Sequence, residues 1–304
     1  MSGSPYCAGR DRRGRVLTLV ALRVGIQTPV LVQAPGAHAR WEEDAGPEEL
    51  GRVARAADRL GYHHLTCSEH VMVPDTESRR RGVVYWDPLA TLAWMAALTE
   101  QIRLATNVVV IGYHHPVALA KRYGTLDRLS AGRLILGVGV GSMEEEFSLL
   151  GAPFPDRGAR ADDALRALRA IWGRRSVSFE GTHHRFGPFT VAPHGVQDHL
   201  PVWVGGYTRR SLRRAVELAD GWAPFALDLD AVKAMLSGFD LPEGFEVVLG
   251  PPRPLDPVGD PEGTREVLER MEDAGATAVH AGFVHHSVEG YLEQLEALSA
   301  LIAL

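Results

Sequence analysis

The chain alternates between short apolar runs, too brief for helices, and longer segments whose apolar residues recur every three or four positions. The alternation starts at Val24. An apolar run at 24–27 predicts a strand, and 47–60 predicts a helix with Leu50, Val53, Ala54, Ala57 and Leu60 on one face, Pro47 at its first position and Gly61 as its stop. Strands are predicted at 63–67, 102–111 and 134–138, with helices at 88–99 and 116–129 between them. After the fourth strand come a short helix at 144–150 and a longer one at 159–172, the latter with Leu165, Leu168, Ile171 and Trp172 apolar. The pattern then pauses. Segments 176–179 and 186–191, parted by Glu180-Gly181-Thr182-His183-His184, predict a β-hairpin. Strands at 201–204, 221–225, 245–249 and 277–283 resume it, with helices at 209–219, 230–238, 261–274 and 288–301.

Eight strand–helix units with no compositional break predict an α/β fold: one (β/α)8 TIM barrel over residues 23–304, with the hairpin as an excursion after the fourth unit. Such a barrel carries its site at the C-terminal ends of the strands. That places Glu69-His70, Asn107, His114-His115, Gly139 to Ser142, Gly205 to Thr208 and His285-His286 at one mouth. The run Gly139-Val140-Gly141 allows positive φ and close approach of a flat or phosphorylated ligand, while Ser142 and Glu144 to Glu146 suit the first turn of a helix. A tight strand-to-helix turn without a ligand would use the same residues. A two-domain dinucleotide-binding fold is disfavoured, because the spacing is Gly-x-Gly-x-Gly, three units precede it and no acidic residue ends a following strand at the needed distance.

Composition narrows the picture further. With 45% apolar residues the chain builds a substantial core, and a net charge of −6 without a basic, aromatic-interleaved stripe argues against nucleic-acid binding. No run approaches membrane-spanning length. Cys7 and Cys67 show neither metal nor disulfide spacing, which fits a reducing cytoplasm. The basic 10–15 and apolar 16–22 segments imitate a targeting signal, but the run is brief, Arg23 ends it and no cleavage site follows; residues 1–22 are expected to be a disordered extension or the product of an early start. Four His-His pairs, at 63–64, 114–115, 183–184 and 285–286, do not make a metal site, because neighbours on a strand point to opposite faces. Tyr113, His114 and His115, with Tyr85 and Trp86 of the long loop after the second strand, are expected to line a substrate pocket; simple rim packing would use them equally.

Specific residues carry a likeness. Asp87-Pro88-Leu89-Ala90, Ile102 to Val108, His115-Pro116-Val117-Ala118-Leu119-Ala120-Lys121, Thr125 to Arg133 with the glycine turn, Pro155 to Arg160, Val177 to Gly181, Pro201 to Gly206 and Ala219 to Trp222 keep order and spacing over nearly all the chain after Val24. In these residues the chain resembles the luciferase-like monooxygenase superfamily, and within it the coenzyme F420-dependent oxidoreductases. The resemblance implies a bound deazaflavin, with FMN as the alternative, and hydride transfer with a small organic molecule or, with reduced FMN, oxygenation. It implies a bulge at Asn107-Val108 with a non-prolyl cis peptide against the cofactor ring. It places Gly139, Gly141 and Ser142 at the cofactor, and its phosphate by Gly205, Gly206 and Thr208, where a helix N-terminus suits an anion. Ser68-Glu69-His70 matches the family's Ser-Asp-His, so His70 and Glu69 are the expected proton-handling residues, His70 having an intrinsic pKa near working pH. A rim histidine bonded to loop backbone is the competing reading. Ser142 stands where the family's sugar-phosphate dehydrogenase has a catalytic glutamate, so that activity is not expected. A non-catalytic cofactor-binding barrel is the alternative of another class, and a homodimer is implied by resemblance alone.

Overall fold

A parallel barrel has to close on itself, and here a break in one strand accompanies closure. The computed structural model of the chain describes residues 22–36 and 38–304. The extension expected over residues 1–22 lies outside the described residues except for Leu22, which is buried. In chain order the elements are β1 (Arg23–Ile26), α1 (Pro47–Arg59), β2 (His64–Cys67), α2 (Ser78–Arg81), α3 (Pro88–Ala96), β3 (Arg103–Thr106), β4 (Val109–Val110) and α4 (Pro116–Leu129). There follow β5 (Leu134–Gly139), α5 (Glu144–Leu149), α6 (Arg157–Ile171), the hairpin β6 (Ser176–Glu180) and β7 (Arg185–Thr190), β8 (Val202–Gly205) and α7 (Arg209–Leu218). The last units are β9 (Gly221–Ala223), α8 (Leu229–Leu236), β10 (Glu246–Leu249), α9 (Pro261–Asp273), β11 (Ala278–Ala281) and α10 (Val288–Ile302).

The strand order β3-β2-β1-β11-β10-β9-β8-β5-β4, closed by pairing of β3 with β5, is all parallel. Because β3 and β4 are two pieces of one stave, these nine segments make the eight-strand TIM barrel that the sequence predicts. The strand expected at 102–111 is the one that differs. It stops at Thr106, passes a cis peptide at Asn107–Val108, pairs again with β5 through Val109↔Val138, and turns into a 3-10 segment at Ile111–Tyr113. The short helix α2 and a 3-10 turn at Arg40–Glu43 were not predicted, since neither has an apolar face long enough to read as a period.

Helix starts follow local chemistry. Glu49 accepts the Gly46 N–H at 2.9 Å, Asp87 accepts that of Ala90 at 2.8 Å, and Thr208 accepts that of Ser211 at 3.2 Å, which supplies partners to otherwise orphaned first-turn donors. Two apolar layers result. The outer one, between strands and helices, includes Leu65, Leu104, Leu134, Leu136, Val202 and Val279. Inside the barrel a smaller cluster of Ala105, Ile135, Trp203, Ala223, Val248 and Ala278 alternates with it along the strands. Between the layers, the Arg133 guanidinium donates to Ala96 O at 2.9 Å, Ile102 O at 3.0 Å and Thr99 Oγ1 at 2.8 Å, tying the end of α3 to the start of β5. The hairpin is antiparallel, and the chain leaving it is held by Asp127, whose carboxylate accepts the Val196 N–H at 2.7 Å and the Gln197 N–H at 3.0 Å.

At the closure, a Cβ on Gly137 would lie 2.0 Å from the carbonyl oxygen of Thr106, which belongs to the backbone and cannot rotate away. Gly137→Ala is therefore expected to destabilise the barrel by about 1–3 kcal/mol, read from urea unfolding, by forcing β3 and β5 apart. Unchanged stability would mean that the closure tolerates the shift.

Candidate active site

The C-terminal ends of the strands enclose a cavity of about 1230 Å³. Three groups of residues build its walls, and one histidine lies at its floor.

The first wall is the bulge after β3, and residues 67–69 hold it. Asn107 N donates to Cys67 O at 2.8 Å, Ser68 Oγ donates to Asn107 O at 2.6 Å, and Glu69 N donates to Val108 O at 3.1 Å. The Glu69 carboxylate, nearly buried, accepts the Val110 N–H at 2.7 Å on one oxygen and His114 Nε2–H at 2.8 Å on the other. Both its oxygens are thus engaged in shaping the bulge, although the residue borders the cavity. Val108 then projects between two glycines: a Cβ on Gly139 would lie 2.7 Å from Val108 Cγ2, and one on Gly205 would lie 2.9 Å from Val108 Cγ1. Glycine at these two positions is required by close approach, and it leaves the adjoining wall flat.

The second wall contains a side chain the sequence reading did not single out. Glu146, in the first turn of α5 and wholly buried, accepts His70 Nδ1–H at 2.8 Å and the Tyr113 hydroxyl at 2.8 Å on one oxygen. Its other oxygen accepts the Val71 N–H at 2.8 Å and the Met72 N–H at 3.3 Å. With Nδ1–H committed to Glu146, His70 keeps Nε2 as its second ring nitrogen, and Tyr85 packs edge-on against the ring at 4.6 Å. Burial pushes the Tyr113 hydroxyl far above its ordinary range, and its bond to Glu146 adds to the effect, so it stays a donor.

The third wall is the turn from β8 into α7. Gly206 takes φ of +126°, and the Thr208 cap opens a helix whose first turns carry Arg210, Arg213 and Arg214, all bordering the cavity. Arg214 is buried and paired with Asp162, with its Nη2 donating to Gly158 O at 3.1 Å. Arg157 donates to Gly141 O at 3.0 Å and lies 4.1 Å over the Phe154 ring. Arg210 and Arg213 have no ion pair among the described residues. Tyr207 and Phe225, more than half exposed, meet edge-to-face at 5.4 Å on the rim.

Of the residues expected at the site, Glu69, His70, Tyr85, Asn107, Val108, Tyr113, Gly139, Gly141, Ser142, Gly205, Gly206 and Thr208 border this one cavity. Three expected pocket residues do not. Trp86 turns into the core while its N–H donates to Leu31 O at 3.1 Å, and His114 lies behind Glu69. His115 faces outward: its Nδ1 accepts the Val117 N–H at 3.3 Å at the start of α4, and its ring packs on Phe186 and His184 of the hairpin. The bend at 111–113 turns the His114 and His115 side chains away from the positions a continuous strand would give them.

Burial alone would raise the Glu146 pKa, but the hydrogen bonds from His70 and Tyr113, the His70 charge and the Val71 N–H outweigh it and hold the group below its ordinary 4.5. A carboxylate with a lower pKa folded than unfolded adds stability above the unfolded value and loses it as pH falls through the folded one. Glu146→Gln is therefore expected to be less stable than the parent at pH 7 by about 1.5–3 kcal/mol. The gap should narrow on acidification below about pH 4.5, measured by urea unfolding across pH. A gap independent of pH would show that the charge contributes nothing.

Residues 22–240 match the luciferase-like monooxygenase family. An uncharacterised protein of Mycobacterium tuberculosis is 30% identical over 266 residues, which cover 83% of this chain and 93% of that protein. The F420-dependent glucose-6-phosphate dehydrogenase of Intrasporangium calvum is 31% identical over 189 residues, 59% of this chain and 54% of that protein. Among solved structures, the monooxygenase RslO1 of Streptomyces bottropensis superposes with a TM-score of 0.71 at 24% identity, covering 93% of this chain and 99% of that one. An F420-dependent secondary alcohol dehydrogenase, solved with an F420-acetone adduct, gives a TM-score of 0.68 at 16% identity, over 91% and 99% of the two chains. The chain therefore belongs to the luciferase-like monooxygenase family, and is an enzyme of that family's oxidoreductases and monooxygenases.

Proposed function

We propose that this enzyme transfers hydride between coenzyme F420 and a small organic substrate, with His70 moving the accompanying proton. The observation that carries the reading is the buried Glu146 behind His70, which fixes Nδ1–H and leaves Nε2 as the nitrogen available at the cavity. Among the relatives named above, the F420-dependent glucose-6-phosphate dehydrogenase supports the deazaflavin. The residues fit such a group: the cavity of about 1230 Å³ has room for a ring system, and Asn107, Val108, Gly139 and Gly205 border it. The N-terminus of α7, with Thr208, Arg210 and Arg213, suits its phosphate. When bound, the deazaflavin supplies the hydride acceptor or donor.

The chain's own part is positioning and proton transfer. In alcohol oxidation the hydroxyl proton passes to His70 Nε2 as the carbinol carbon gives up its hydride. The imidazolium so formed is stabilised by Glu146 through Nδ1–H. In the reducing direction His70 returns that proton to the carbonyl oxygen. Tyr113 holds the Glu146 oxygen that His70 uses, and Glu69 keeps the bulge in shape. Ser142, exposed at the cavity, offers a hydroxyl where a sugar-phosphate dehydrogenase of this family is expected to have a carboxylate, so the substrate differs from a sugar phosphate.

An anaerobic titration of the purified protein with F420 and, separately, with FMN tests the cofactor. Saturable binding of F420 with hydride exchange is expected; binding of FMN alone, with oxygen consumption on reduction, would replace this reading with a flavin monooxygenase. His70→Ala is expected to lower kcat by about 10²-fold or more with cofactor affinity retained, and unchanged turnover would remove His70 from the chemistry. For the phosphate wall, Arg210→Ala should weaken FMN by about ten- to a hundredfold and leave riboflavin, which has no phosphate, unaffected. Equal losses for both would place Arg210 elsewhere.

A further inference from the structure

Inside the barrel, β11, β1 and β2 bring two imidazoles to one level. His280 of β11 is in register with Gly25 of β1, and the pairing of Ile26 with Leu65 puts Gly25 beside His64 of β2. Both rings occupy space that glycines vacate. A Cβ on Gly25 would lie 2.3 Å from His64 Nδ1, and one on Gly250 would lie 3.2 Å from His280 Nε2. Apolar side chains ordinarily fill this layer of a barrel, as Ala105, Ile135, Trp203 and Val248 do elsewhere in this one. His64 is fully buried, packs edge-on against Trp203 at 5.1 Å, meets His63 through Nδ1 at 3.0 Å, and has no protein partner at Nε2 among the described residues. His280 borders the cavity and makes no hydrogen bond to protein among the described residues.

We propose that His280 is a ligand-binding residue, an uncharged imidazole in the cavity floor that exchanges a hydrogen bond with a neutral carbonyl or ring N–H group of the bound cofactor's ring system. The inference rests on the reading of the cavity as a cofactor site, and it does not depend on which cofactor is bound. Burial holds His280 uncharged, its pKa pushed down to about 4, and desolvation also lowers that of His64, where His63 and then His280 add to the effect. A neutral imidazole has one donor and one acceptor, which suits a carbonyl or an N–H and not a phosphate or carboxylate. The cations at the cavity are Arg210, Arg213 and Arg214 of α7, Arg157 of α6 and Arg81 of α2. The cavity thereby offers guanidinium groups to an anion and, at His280, an imidazole to a polar ring edge. His64, wedged between Gly25 and Trp203, keeps the His280 side of the barrel from collapsing inward.

The test measures dissociation constants of FMN and F420, each by quenching of its own fluorescence, for the parent and for His280→Phe, His280→Met and His280→Asn. Urea unfolding is run alongside. Loss of about tenfold or more in affinity for the bound cofactor is expected in His280→Phe and His280→Met. His280→Asn, which keeps a donor and an acceptor, should recover most of it, and the absorption maximum of the bound ring should shift only in the two apolar variants. Either apolar variant suffices if the other does not fold. Parental affinity in a folded apolar variant overturns the proposal and leaves the F420 reading intact. Binding of FMN but not F420 by the parent overturns that reading while His280 is still tested with FMN, and binding of neither overturns both.

Discussion

The site depends on the grip of three residues at the end of β2 on the bulge that follows β3. Cys67 O, Ser68 Oγ and the Glu69 N–H engage the peptide groups at 107–108, while the Glu69 carboxylate takes up Val110 N–H and His114. A buried carboxylate is tolerable only when its oxygens have partners, and here one partner, the Val110 N–H, is a donor that a continuous strand would have used in its ladder, and the other is the His114 side chain. The bulge therefore exists at the point where β2 can satisfy it, and Val108 is delivered between Gly139 and Gly205.

The same logic governs the catalytic wall. Glu146 collects four donors, from His70, Tyr113, Val71 and Met72, and so joins the loop after β2, the turn after β4 and helix α5 around one charge. Its bond to His70 orients the imidazole, and its bonds to two backbone N–H groups fix the loop that carries it. The arginine-bearing start of α7 borders the same cavity, as does Arg81 beside Tyr85.

Much of the fold was legible because barrel units announce themselves locally. Proline at the first helical position, Asp or Thr caps and glycine stops set most helix boundaries of α1, α3, α7 and α9 to within a few residues, and short apolar runs marked the strands. The exception was the stave at 102–111, whose uninterrupted apolar pattern hides the bend; only the family resemblance pointed to Asn107-Val108. Of the site, the glycines and His70 could be read from turn chemistry and position at strand ends. Glu146 could not, because it stands among three consecutive glutamates suited equally to a helix N-terminus, and nothing in the chain distinguishes the one that turns inward. His280 stands alone in an ordinary strand, with its companion glycine 255 residues earlier at Gly25.

The amino-acid sequence by itself determined the barrel, the order of its units, the hairpin excursion and the glycine-lined mouth, since each follows from periodicity and capping within a dozen or so residues. Tertiary structure alone decided which carboxylates are consumed in building the site and which histidines face it. Glu69 shapes the bulge, Glu146 stands behind His70, His115 turns out to the hairpin and His280 turns in to the floor. The reason is physical: hydrogen-bond partners of a buried polar group are chosen among residues distant in the chain, and that choice is made only when the barrel closes.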